Sequence, residues 1–98
     1  MLVKIHESYR EIVAICDSEI IGKRFEDEKF QLDVKESFFK GEKKNEDEVI
    51  EIILDKIKED ATFNIIGEKS VNTAIKAGVI SEGGVKRIGG IPFAMILV

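Results

Sequence analysis

Two stretches of the chain place backbone amides and cations where an anion could be held. The first is Asn64-Ile65-Ile66-Gly67-Glu68-Lys69-Ser70. An apolar, β-rich run ends at Gly67 and a helical pattern begins there. Free amides then stand at a helix N-terminus, with the Lys69 ammonium and the Ser70 hydroxyl beside them. The second is Lys86-Arg87-Ile88-Gly89-Gly90-Ile91-Pro92. Two adjacent cations precede paired glycines, whose backbone can approach a ligand closely or adopt positive φ. A phosphate or carboxylate, including the backbone of RNA, is the ligand class that Gly67, Lys69, Ser70, Lys86, Arg87, Gly89 and Gly90 would take. Each stretch also has a plainer reading: a tight strand-to-helix turn at Gly67 and a hairpin turn with solvated flanks at Gly89-Gly90.

Covalent and acid–base chemistry find less support. His6 is the only histidine and is followed by Glu7. That could be half of an acid–base pair, but a polar residue at a hairpin shoulder is the commoner meaning. Cys16 is the only cysteine, so no internal disulfide can form. It ends the apolar run Ile12-Val13-Ala14-Ile15 without a basic neighbour, and reads as a small buried hydrophobe rather than a nucleophile. Asp17 and Glu19 could hold a metal with carboxylates from elsewhere. Glu26-Asp27-Glu28 and Glu46-Asp47-Glu48 read instead as a solvated turn and a helix start. No Ser-His-Asp, Cys-His or zinc-ligand spacing can be assembled. The expectation is no cofactor, no metal and no catalytic residue. A small enzyme with an anion-binding turn at Gly67 is the remote alternative.

Length and composition agree with one domain over residues 1–98, and an apolar share of 44% marks a folding chain despite 35% charge. The net charge of −4 and a pI near 5.1 oppose a general affinity for phosphates. Nucleic acid would need a local basic patch, to which Lys23-Arg24, Lys40, Lys43 and Lys44 could contribute. No run approaches the roughly 20 apolar residues of a membrane span, and Met1 to His6 lacks the form of a signal peptide. A cytoplasmic protein without a membrane partner is expected.

The elements that must position these residues are read from periodicity. Leu2 to His6 and Ile12 to Cys16 are strands closed by a short hairpin loop, Glu7-Ser8-Tyr9-Arg10. Asp17 caps a single turn from Ser18 to Ile21, which Gly22 stops. Phe30, Leu32 and Val34 alternate with polar residues as in a half-exposed strand, and Phe38-Phe39 precedes a charged turn. Asn45 with Glu48 three residues on announces a helix, and Val49, Ile50, Ile53, Leu54 and Ile57 form its apolar stripe. Thr62 to Ile66 is a strand. A second helix runs from Gly67 to Gly78 with Val71, Ala74 and Ile75. Val85 to Ile88 and Phe93 to Val98 are the last strands, with Pro92 at an edge, a bend or a strand's first residue. The order β-β-β-α-β-α-β-β predicts an α+β fold: a two-layer sandwich with a mixed sheet and two main helices packed on one face.

Several segments, in order, resemble a known family: Lys4 to Asp17, Leu32-Asp33-Val34 with Phe38-Phe39-Lys40-Gly41, Asn64-Ile65-Ile66-Gly67, and Ile88-Gly89-Gly90-Ile91-Pro92. Over essentially the whole chain this resembles the archaeal family known as domain of unknown function four-two-four. The resemblance implies an archaeal cytosolic protein with a two-layer α/β sandwich and no established activity. It also implies a histidine directly after the proline in many relatives, where this chain has Phe93. More locally, Ile65-Ile66-Gly67 is similar to the RNA-clamping loop of KH domains, but Ser70 stands in the second glycine's place and a strand precedes the loop. Two partner classes follow. One is RNA or a ribonucleoprotein of translation, met by glycine loops, cations and exposed aromatics at Tyr9, Phe38 and Phe39. The other is a protein, including a second copy forming a homodimer, if two helices leave a sheet face uncovered.

Overall fold

Residues 1–96 are described by the computed structural model, so Leu97 and Val98, the end of the last expected strand, lie outside the described residues. The chain order is β1 (Leu2–His6), β2 (Ile12–Cys16), β3 (Arg24–Glu26), β4 (Gln31–Asp33), α1 (Glu36–Phe39), β5 (Glu42–Lys43), α2 (Glu46–Ile57), β6 (Thr62–Ile66), α3 (Glu68–Lys76), β7 (Lys86–Ile88) and β8 (Ile91–Ile96). Six strands form a mixed sheet in the order β5-β1-β2-β6-β8-β7, curled as a half-barrel. Among the described residues only β2 and β6 run parallel, at its centre. The fold is α+β, with α2 and α3 on one face.

Local signals explain the best-placed elements. The Asn45 side chain accepts from the Glu48 amide at 2.9 Å, and the Glu48 carboxylate accepts from the Asn45 amide at 3.0 Å. This reciprocal cap starts α2 and satisfies two donors that would otherwise face solvent unpaired. Strand alternation sends Val3, Val13, Ile15, Phe63 and Ile65 to the helix side, where Val49 and Ile53 of α2 and Val71 and Ala74 of α3 meet them. Each such large side chain, once buried, contributes about 1.5–3 kcal/mol.

The opposite face departs from what alternation suggested. Leu32 and its neighbours do not join the main sheet; β4 pairs with β3 in a hairpin of its own. That hairpin and α1, a single helical turn around the Phe38-Phe39 pair, lie over the second face. There Ala14, Cys16 and Ile66 are buried with Ile20, Val34 and Phe39. Both faces therefore carry a buried cluster, which removes the premise that one would be left for a second copy to cover.

Pro92 lies within β8 rather than before it. Its carbonyl accepts from the Gly67 amide at 2.9 Å, and the Gly67 carbonyl accepts the Val71 amide at 2.9 Å as the first bond of α3. The N–H that proline lacks would have faced that same, already occupied carbonyl, so the ladder loses nothing.

Candidate functional site

At the end of β2 the chain turns, and the sequence alone suggests that Asp17 caps that turn. Its carboxylate makes no bond there. It crosses instead to α3, where it accepts from the Lys69 amide at 3.1 Å, the Ser70 amide at 2.8 Å and the Ser70 hydroxyl at 2.7 Å. Asp17 and Ser70 are both buried. The anion at this helix N-terminus is thus the chain's own, held by the dipole and by charge-assisted bonds. Gly67 makes room for it. Its φ of +114° suits only glycine, and a Cβ there would lie within 2.7 Å of both carboxylate oxygens.

Gly89 and Gly90, with φ of +57° and +80°, form a two-residue turn between the paired Ile88 and Ile91, the backbone that a tight hairpin requires. Lys86 and Arg87 sit on β7 just before it. Strand alternation parts them: Lys86 is paired with Phe93 and shares its face, whereas Arg87 is paired with Pro92 on the helix face. Adjacent in sequence, they leave the strand from opposite faces. The Arg87 guanidinium instead donates to the Glu68 carboxylate at 2.8 Å and to the Gly90 carbonyl at 2.9 Å. The Glu68 hydrogen bond raises the Arg87 pKa above its ordinary value. Lys69 is answered in turn by Glu19 at 3.6 Å.

The two glycine stretches, separate in sequence, therefore form one junction. Gly67 bonds to Pro92, and Glu68 bonds to Arg87. Beside the junction, between α3 and the β7–β8 hairpin, lies a cavity of about 260 Å³. Val71, Ile75, Val85 and Pro92 supply its apolar lining, and Glu68, Asn72, Glu82 and Arg87 its polar lining.

This geometry stands on a chain whose residues 6–98 match the model of a family described as "Protein of unknown function (DUF424)". The chain belongs to this family. Nothing among curated proteins matches it. Its fold is similar to that in the "Crystal structure of an uncharacterized conserved protein from Methanopyrus kandleri", with a TM-score of 0.87 and 23% identity over 97% of this chain and 88% of that one. At that identity the likeness bears on the family's fold alone.

Elsewhere in this family member, several of the remaining candidates make contacts within the fold. His6 Nε2 donates to the Phe38 carbonyl at 2.8 Å, and its ring stacks on Phe38 at 4.5 Å. Cys16 is fully buried, and burial first, then the Asp17 carboxylate, pushes its thiol from 9.0 up to about 11. Of the aromatics read as exposed, Tyr9 is fully so, Phe38 is half-buried, and Phe39 is buried in the second cluster. Lys44 pairs with Glu42 at 3.0 Å and Arg24 with Asp33 at 4.0 Å. Among the described residues, no group of three or more His, Cys, Asp or Glu side chains is arranged to hold a metal, and no helix is long and apolar enough to cross a membrane.

Sequence reasoning missed Glu68, Asn72, Glu82 and Val85. Glu68, Asn72 and Ile75 recur at helical spacing, so a shared face of α3 was open to detection. That β7 would lie across this face was not.

Proposed function

We propose that the chain is a non-catalytic binding module that works in the cytoplasm and meets a protein, including one within a ribonucleoprotein, rather than the phosphates of RNA. One observation carries the reading: donors suited to a phosphate are answered by the chain's own carboxylates. Asp17 takes the Lys69 and Ser70 amides, Glu19 takes the Lys69 ammonium, and Glu68 takes the Arg87 guanidinium. An RNA strand would have to displace these carboxylates against a net charge of −4, with little counterion release to gain. An archaeal source accords with the Methanopyrus kandleri neighbour.

Immobilised protein, challenged with total cellular RNA at low salt, is expected to retain none. Partners captured from native lysate are expected to survive nuclease. RNA retained at low salt and lost steeply as salt rises would replace this reading with an RNA-binding one. Light scattering is expected to give a monomer; a dimer would make a second copy the partner.

A further inference from the structure

We propose that the cavity between α3 and the β7–β8 hairpin is a socket for one cationic side chain, a lysine or arginine, of the partner protein. The proposal rests on the protein-partner reading and gives it a place and a chemistry.

Size argues first. About 260 Å³ falls below the roughly 300–1,000 Å³ typical of small-molecule and cofactor sites, and suits a side chain better than a nucleotide. The lining argues next. Val71, Ile75, Val85 and Pro92 offer an apolar wall to a methylene stem, while Glu68 and Glu82 offer carboxylates to a charged head. Lysine and arginine have that division, an apolar stem ending in a cation.

Charge decides between cation and anion. Arg87 is the cation in the lining, and its charge is answered by Glu68, while the same nitrogen also donates to the Gly90 carbonyl. Among the described residues no ion pair answers Glu82. Lys86, the next cation along the chain, lies on the opposite face of the sheet. The cavity therefore carries one uncompensated negative charge, which attracts a cation and repels a phosphate or carboxylate.

The test uses the full chain, labelled with nitrogen-15, at low salt. It is titrated separately with the N-acetyl methylamides of lysine, norleucine and glutamate. The lysine compound is expected to shift the amides of Asn72, Glu82 and Val85 with millimolar affinity, several-fold tighter than norleucine, and to weaken as salt is added. Glu82→Gln is expected to remove that several-fold preference while leaving norleucine binding and the rest of the amide spectrum unchanged. Equal binding of lysine and norleucine would overturn the proposal, as would tighter binding of glutamate or no shift at these residues. The RNA-retention assay is independent of this one, so a socket that binds lysine on a protein that also retains RNA would sink the functional reading alone.

Discussion

Two glycine turns lie side by side in this molecule and have opposite characters. At Gly67 the helix N-terminus is sealed: a buried carboxylate from the far end of β2 takes the amides, and the turn has no space for a Cβ. At Gly89-Gly90 the neighbouring pair, Arg87 with Glu68, is more than half exposed on both sides and borders a cavity. The same ingredients, glycine, cation and amide, thus build a structural knot in one place and an accessible surface in the other. The difference lies in burial. A buried donor must be paired inside the protein, whereas an exposed one can exchange its partner for water or a ligand.

The sharpest way to break this comparison is Gly67→Ala. The new Cβ must expel Asp17, and alanine must hold a glycine-only conformation, so a loss of about 3–5 kcal/mol is expected in urea unfolding. A loss below about 1 kcal/mol would show that the knot is not sealed. Asp17→Ala is expected to cost about 2–3 kcal/mol, because two amides and a hydroxyl lose their acceptor. Asp17→Asn, which keeps one side-chain oxygen, should cost less. Equal effects from the two substitutions would argue that one retained oxygen contributes nothing without the carboxylate's second oxygen and its charge.

A third test probes Cys16, the neighbour of Asp17. Its thiol is raised in the fold from 9.0 to about 11, so the folded state holds its proton where the unfolded chain releases it. The thiol's contribution is fully present below pH 9.0 and is lost as pH rises through about 11. The stability of the native chain minus that of Cys16→Ala, followed by urea unfolding across this window, is expected to fall. A flat difference would mean that water reaches the thiol. The smallest effect belongs to the open turn: Arg87→Ala is expected to leave the urea midpoint unchanged within error, since exposed ion pairs add little. A clear drop would move this turn into the structural class with Gly67.

Much of the fold was legible where the signal is local. Asn45 and Glu48 announced α2, and β1, β2 and β6 fall where their apolar runs stand. Alternation around Leu32 marked a strand but could not say that its partner would be β3, because a period of two is the same in any sheet. The turn of α1 is a single one, too short for a helical period to show. The candidate site was legible as residue types and not as a site. Lys86-Arg87 read as a pair because they are neighbours, yet strand geometry sends neighbours to opposite faces.

By itself, the sequence determined β1, β2, α2, β6 and α3, the Asn45 cap, the stripes that form the core and the glycines at which the backbone turns. Those follow from interactions within a few residues. Only the tertiary structure decided that Asp17 meets Ser70, that Glu68 meets Arg87, and that a cavity opens between α3 and the β7–β8 hairpin. These pairings join residues far apart in the chain. Which carboxylate satisfies which donor depends on where packing brings the two ends, not on the residues that carry them.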